Sequence, residues 1–212
     1  MNELLKKLTE AAGVSSTEKE VRTLIRDLIA DHVDEWHVDA LGNLIALKSG
    51  TGELDLRVMI DAHMDEVGLM ISEIDSGALL KFETVGGIGD RTLLGKVVQV
   101  GPEKITGVIG ARPIHLLKAN QRKSVIKRDA MRIDIGAKNR NAAAGKVKVG
   151  DTATFVTEYE EIGSTAVGKA FDDRAGCAAL IELLRGDPYL FDLIAAFTVQ
   201  EEVGLRGAQV AA

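Results

Sequence analysis

Three groups of residues have the types and spacing to do chemistry, and each follows or opens an apolar run. Asp61-Ala62-His63-Met64-Asp65-Glu66 ends the strand-like segment Leu56 to Asp61. Strand alternation puts Asp61, His63 and Asp65 on one side, where a carboxylate two residues from His63 can orient its imidazole as a metal ligand. The same residues also suit a polar loop that closes a strand. Asp172-Asp173 opens an apolar helix. One carboxylate there could bridge two metal ions while the other caps the helix, or both could simply satisfy free helix N–H groups. Glu201-Glu202 directly follows the apolar strand DLIAAFTVQ. Two adjacent carboxylates at such a strand mouth repel, and a bound dication would remove that cost and leave one of them as a general base. Each group is ambiguous alone. Together, one His and several carboxylates at the ends of distinct strands form a hard, mixed N/O ligand set suited to Zn, Co or Mn, and a dinuclear site of that kind activates water for hydrolysis. The combination points to a metallohydrolase.

Other chemistries lack their residues. There is no H-E-x-x-H and no G-x-S-x-G; Gly86-Gly87-Ile88-Gly89-Asp90-Arg91 lacks the third glycine of a dinucleotide fingerprint, and Gly95-Lys96 runs into Val97 where a P-loop needs Ser or Thr. The single cysteine, Cys177, has no partner for an internal disulfide and lies in the apolar run AGCAALIELL, so it is expected to pack. A net charge of -6, from 26 basic and 32 acidic residues, argues against a nucleic-acid partner. Residues 104–150 do carry twelve Lys or Arg against Asp129 and Asp134, but no Phe, Tyr or Trp on which bases could stack. That stretch reads as a solvated surface or a subunit contact, with QRKSVIKRD as a mobile loop. No run approaches the roughly 18 apolar residues of a membrane span, and the opening MNELLKKLTEAAG alternates charge with Leu. A cytoplasmic protein with no membrane partner is expected.

The elements that must position these groups follow from periodicity. Asn2 to Ala12 reads as a short amphipathic helix stopping at Gly13, and a Thr17 cap with Glu20 three residues on opens a second helix running to about Asp31. Glu35 to Asp39 and Asn43 to Lys48 read as a hairpin around Leu41-Gly42-Asn43, and Leu56 to Asp61 as a buried strand. From about Leu69 to Glu161 the texture turns to short, glycine-punctuated alternating segments, which read as a separate all-β domain. The α/β texture resumes with a helix from Asp172 to about Leu184 and a strand from Asp192 to Val199. A final helix begins near Gly204 without a cap or a following strand, so an incomplete domain is expected.

With these motifs in view, the chain resembles the tetrahedral aminopeptidase family, the dinuclear-metal glutamyl or deblocking aminopeptidases, some of which carry the name cellulase or endoglucanase. The resemblance runs the full length and rests on AHMDEVG (Ala62 to Gly68), ARPIHLL (Ala111 to Leu117), RIDIGA (Arg132 to Ala137), KAFDDRAGC (Lys169 to Cys177) and TVQEEVGLRGAQ (Thr198 to Gln209). It implies an α/β/α sandwich metallopeptidase domain in two parts, 1–69 and 164–212, around an inserted β-rich, PDZ-like oligomerisation domain at 70–163. By position it makes His63, Asp172 and Glu202 metal ligands and Asp65 the residue that orients His63. Asp173 stands at the helix start, and Glu201 becomes the general base that passes a proton from water to the leaving amine. It implies two divalent metal ions per subunit, peptide substrates trimmed from the N-terminus, and self-association into dimers and a twelve-subunit tetrahedron. Family members continue past Ala212 and draw from that part an Asp ligand to the first metal and a His ligand to the second, so the residues present supply one ligand fewer to each. A fragment acting only in assembly is the competing reading. Glycoside hydrolysis is a third, and eight aromatic residues offer few platforms for a sugar cleft. The family usually has Gly at the position of Ser16, a departure expected to touch the first turn and not the chemistry.

Overall fold

The computed structural model describes residues 1–116 and 123–212. The chain folds as two compact units, one formed by residues 1–66 with 157–212 and the other by residues 67–156.

The first unit opens with α1 (Asn2–Glu10) and α2 (Lys19–Ile29). Their buried residues, Leu4 and Leu8, then Val21, Ile25 and Ile29, recur every four positions and form one apolar stripe on each helix. The N-cap of α2 is Glu18, one residue past the Thr17 expected; the Thr17 hydroxyl donates to the Val14 carbonyl, and Glu20 accepts from the Ala12 N–H. The reason is local: Ser16 sits at φ 77°, and the turn it makes brings the Thr17 N–H and hydroxyl back onto Val14. The hairpin β1 (Glu35–Val38) and β2 (Leu44–Lys48) and the strand β3 (Arg57–His63) follow.

The second unit is a closed barrel of six strands, β4 (Gly68–Ile74), β5 (Leu80–Val85), β6 (Val97–Val100), β7 (Ile105–Ala111), β8 (Met131–Asp134) and β9 (Thr152–Phe155), in the order β4-β5-β8-β7-β6-β9. Alternation sends Leu69, Ile71, Phe82, Val98, Val100, Ile109 and Ile133 into its core, and a bulge between Ile71 and Glu73 shifts the β4–β5 register. A one-turn helix, α3 (Arg140–Ala144), is capped by the Asn139 side chain, which accepts from the Ala142 N–H. The loop expected over QRKSVIKRD begins outside the described residues. Further along it, Lys127 and Arg128 both face Asp90; beyond it, Arg132 of β8 faces Asp75.

The first unit then resumes with the hairpin β10 (Glu160–Ile162) and β11 (Thr165–Val167), α4 (Phe171–Arg185), β12 (Asp192–Thr198) and α5 (Arg206–Ala211). Its main sheet runs β1-β2-β12-β3, with β12 antiparallel to β2 and parallel to β3. Leu193, Ala195 and Phe197 of β12, with Leu44 and Ala46 of β2, pack against the stripes of α1 and α2 and against Ala178, Ile181 and Leu184 of α4. Each large side chain buried this way contributes about 1.5–3 kcal/mol. Cys177 belongs to this core and is a free, buried thiol. Among the described residues no helix is long and apolar enough to cross a membrane.

Candidate metal centre

The parallel register of β12 on β3 pairs Thr198 with His63. One more bond, from the Met64 N–H to the Thr198 carbonyl at 2.7 Å, keeps the two chains together past the last strand residues. Two loops therefore leave the carboxyl ends of neighbouring parallel strands side by side, the place where open α/β sheets bind ligands. The loop after β3 carries Asp65 and Glu66, and the loop after β12 carries Glu201 and Glu202. The start of α4 brings in Asp172.

His63 is the centre of the group. Its Nδ1 faces Asp65, 3.2 Å from the backbone oxygen and 3.4 Å from Oδ1. Both neighbours are acceptors, so Nδ1 carries a proton and Nε2 is the nitrogen left to face outward. Nε2 lies 3.0 Å from Asp172 Oδ1 and 3.7 Å from Glu201 Oε2. Burial opposes a charged imidazole here, but Asp65, Asp172 and Glu201 outweigh it and push His63 up to about 9.

Asp65 is fully buried and committed on every side. Oδ1 accepts from the Glu201 N–H at 3.0 Å, and Oδ2 accepts from the Glu202 N–H at 3.2 Å and from the Ser15 hydroxyl. Burial raises its pKa, yet the bonds from His63, Ser15 and the two N–H groups win and hold it below the usual carboxylate range. Glu202 shows the opposite balance: burial, with the charges of Asp172, Glu201 and Asp65, pushes it up against the pull of His63.

The structure thus brings His63, Asp65, Asp172, Glu201 and Glu202 into one neighbourhood. It leaves three other members of the motifs outside. Asp61 is exposed on β3. Asp173 caps α4 by accepting from the Gly176 N–H at 3.0 Å, and the peptide joining it to Asp172 is cis. Glu66 turns into a buried network: it accepts from the Gly13 N–H at 3.1 Å and from Lys169 Nζ at 2.8 Å. Arg174, fully buried, donates from Nε to the Met64 carbonyl at 2.7 Å and from Nη1 to the Leu8 carbonyl at 2.5 Å. Burial draws both cations' pKa values down, that of Lys169 against the opposing charge of Glu66.

Three contributors were not singled out from sequence. Ser15 reaches Asp65, as described. Glu18 accepts from the Ser16 and Gln200 N–H groups, and burial leaves its carboxyl above the ordinary value despite these donors. Asn43 accepts from the Val199 N–H at 3.0 Å. The turn around Ser16, expected to stand apart from the chemistry, therefore lies against it, because the residues on either side bond Asp65 and Gln200. The one visible signal was the preference for Gly at Ser16, whose φ of 77° favours glycine.

A metal fits by donor chemistry and by charge. Nε2 of His63 faces only acceptors, Asp172 and Glu201, so in the absence of a cation a proton must stand between them; a divalent ion satisfies the same lone pairs more fully. Four carboxylates around one imidazole also leave an excess of negative charge that a cation offsets. Among the described residues, no three His, Cys, Asp or Glu side chains are already gathered closely enough to enclose an ion.

The sequence profile of M42 glutamyl aminopeptidases matches residues 42–212. The chain belongs to the M42 glutamyl aminopeptidase family. The M42 chain is 41% identical over 216 residues to a putative aminopeptidase of Acetivibrio thermocellus, covering 100% of this chain and 62% of that one. Among solved structures it is similar to the Pyrococcus horikoshii TET1 peptidase, described as able to assemble into a tetrahedron or a large octahedral shell, with 42% identity, a TM-score of 0.89 and coverage of 99% of this chain and 64% of that one. A Thermotoga maritima structure described as an endoglucanase is 41% identical, with a TM-score of 0.82 over 98% of this chain and 62% of that one. The M42 chain spans about three fifths of the length of its curated relatives, 60% and 62% of two of them.

Proposed function

We propose that this M42 chain serves as a metal-dependent aminopeptidase that removes N-terminal residues from peptides. The observation that carries the reading is the arrangement of His63. Its Nδ1 is anchored on Asp65, and its Nε2 is turned toward Asp172 and Glu201. His63, Asp172 and Glu202 would hold two divalent ions, Zn or Co with Mn also suited, and Asp65 would keep His63 in the tautomer that leaves Nε2 as the ligand. When bound, such ions supply Lewis acidity that polarises the scissile carbonyl and makes water a stronger acid. Glu201 then serves as general base: its carboxylate, 34% exposed, is open to take a proton from water and hand it to the leaving amine. Asp172, 87% exposed, keeps its carboxylate open to solvent.

The barrel is proposed as the PDZ-like assembly module of the family, within a chain that self-associates into dimers and a twelve-subunit shell. Support comes from the assemblies described for the Pyrococcus horikoshii relative. Charge adds to it: residues 67–156 hold fifteen Lys and Arg against eight Asp and Glu, whereas the remainder holds eleven against twenty-four. Opposite charges of +7 and -13 on the two units favour contacts between copies, and these should weaken as salt rises.

The test is hydrolysis of aminoacyl-nitroanilides by the full-length protein, stripped of metal and then supplied with Zn or Co. Metal-dependent release of nitroaniline that Glu201→Gln abolishes, with melting temperature unchanged, is the expected result. No turnover with any metal, or undiminished turnover in Glu201→Gln, would overturn the assignment. Cellulose oligosaccharides run alongside should remain intact.

A further inference from the structure

Four consecutive backbone N–H groups at the mouth of β12 are each received by a side-chain oxygen. Val199 donates to Asn43 Oδ1 at 3.0 Å, Gln200 to Glu18 Oε1 at 3.3 Å, Glu201 to Asp65 Oδ1 at 3.0 Å and Glu202 to Asp65 Oδ2 at 3.2 Å. The three acceptors come from separate places in the chain: the start of β2, the N-cap of α2 and the loop after β3. None of these N–H groups is spent on the sheet or on a helix; the carbonyls of Val199, Gln200 and Glu201 accept from backbone N–H groups of residues 204–207, so side chains fix the donor side of this backbone and the loop itself the acceptor side.

Asn43 holds both ends of the loop. While Oδ1 takes the Val199 N–H, Nδ2 donates to the Gly207 carbonyl at 2.9 Å and to Asp39 Oδ2 at 2.7 Å. The amide orientation is settled by these partners, since two are acceptors and one a donor. Asp39 is itself anchored by the N–H groups of Leu41, Gly42 and Asn43. Gly207 is pressed so closely onto this clamp that a Cβ there would stand 2.3 Å from the Val199 carbonyl oxygen and 2.5 Å from Asn43 Oδ1. Between the two ends, Gln200 and Leu205 hold left-handed backbone, at φ 55° and 57°, which an L residue keeps only when its surroundings insist. Asn43 and Glu18 are both buried, at 0% and 4% exposure.

We propose that Asn43 and Glu18 are positioning residues that set the backbone from which Glu201 and Glu202 project, so that the general base and the ligand hold a fixed place relative to His63. The roles of Glu201 and Glu202 rest on the proposed function; the clamping of the loop does not. A displacement of about 1 Å at such a base is enough to cost two orders of magnitude in rate.

The experiment uses the full-length protein and the variants Asn43→Ala, Glu18→Ala and Glu18→Gln. The last keeps an acceptor oxygen for the Ser16 and Gln200 N–H groups. Amide hydrogen exchange over residues 199–202 should accelerate about tenfold or more in the two alanine variants while β2 and β12 keep their protection, and Glu18→Gln should restore it. In nitroanilide hydrolysis, kcat should fall about 10- to 100-fold with KM within about twofold, again recovered in Glu18→Gln. Unchanged exchange over 199–202 in the alanine variants would overturn the proposal. So would faster exchange spread evenly over the whole unit, or a Glu18→Gln variant no better than Glu18→Ala. If Asn43→Ala does not fold, Asn43→Ser carries the same test. If the parent cleaves no peptide, the proposed function fails and exchange alone decides the clamp.

Discussion

Replacing Arg174 by Met tests whether the buried charge network holds the first unit together. Arg174 sits near the start of α4 with no exposure, and its guanidinium donates to Met64 O at 2.7 Å, Leu8 O at 2.5 Å and, more weakly, Ala11 O at 3.3 Å. It thereby joins the end of α1 to the residue that follows His63. Methionine fills similar space but donates nothing. Ala11 O keeps Lys169 Nζ at 3.0 Å, so two carbonyls, of Met64 and Leu8, lose a charged donor. A buried acceptor left without its donor costs about 1–3 kcal/mol, which gives roughly 2–6 kcal/mol for the pair. Against this, methionine avoids the desolvation of a guanidinium, whose Nη2 has no hydrogen-bond partner among the described residues. The net expectation is a loss of about 2–4 kcal/mol, equivalent to a melting temperature roughly 5–15 °C lower for a chain of this size. Differential scanning calorimetry reads it directly. If the two units melt separately, the shift belongs to the transition of residues 1–66 with 157–212. A variant melting within about 2 °C of the parent would refute the reasoning, because it would mean that relief of desolvation matches the lost bonds. Arg174→Lys should fall between, since an ammonium cannot serve carbonyls set so far apart as well as a fork does.

Other outcomes follow from single residues. Ser16→Gly should raise stability by about 0.5–1 kcal/mol, since relief of a left-handed residue at φ 77° exceeds the added freedom of the unfolded chain; a lower melting temperature would contradict it. Gly207→Ala should cost about 1–3 kcal/mol and disturb the loop beside it, because its Cβ would meet backbone and Asn43 well inside contact distance; unchanged thermal denaturation would count against the close approach. Burial pushes the Cys177 thiol up to about 12. A raised thiol pKa keeps the neutral, unreactive form at every pH well below it. Iodoacetamide should leave the native protein unmodified by mass and label it once in guanidinium; full labelling of the native form would refute the burial.

Sequence periodicity was a good guide to α1, α2 and β12, but Leu56 to Asp61, expected as a buried strand, falls on β3 at the edge of the sheet and leaves Leu56, Met59 and Ile60 exposed. Leu193 to Phe197 reads as a strand because it is apolar throughout, and in the fold it is an inner strand, paired with β2 along one edge and with β3 along the other. Periodicity also placed a helix start one residue early where side chains compete for backbone groups. Thr17 and Glu20 have capping-box spacing, but the left-handed Ser16 draws Thr17 to Val14 and leaves Glu18 at the N-cap. The hairpin β10 and β11, between Glu160 and Val167, went unread because its residues are largely exposed and carry no buried alternation to reveal them. Within the candidate site, His63 and the paired carboxylates announce themselves by type and spacing. Glu18 and Asn43 do not, because their function depends on contacts 182 and 156 residues away in the chain. No local pattern encodes such a contact. Asn43 looks like any turn residue of a hairpin until the antiparallel register of β12 on β2 brings Val199 to it.

The carboxylates of the site differ in role because they differ in what already occupies their lone pairs. Asp65 accepts from two backbone N–H groups and a hydroxyl and faces His63 Nδ1, all without exposure to solvent. With every donor direction filled and its pKa held low, it has no lone pair to spare for a metal and no tendency to take a proton, so orientation is the one role left to it. Asp172 and Glu201 are the reverse: both approach Nε2 of the same imidazole from the solvent side, and both keep exposed oxygens. Exchanging Asp65 for Asn would therefore damage the site by a different route from exchanging Asp172. The Asp65→Asn side chain would keep one acceptor oxygen but present an amide N–H₂ to a second donor, so the loop of Glu201 and Glu202 would loosen together with the tautomer of His63. Loss of Asp172 would remove a proposed ligand and leave that loop in place. Amide exchange at Glu201 and Glu202 separates the two: it should rise in Asp65→Asn and stay at the parent level in Asp172→Asn, and equal exchange in both would show that Asp65 does not hold the loop.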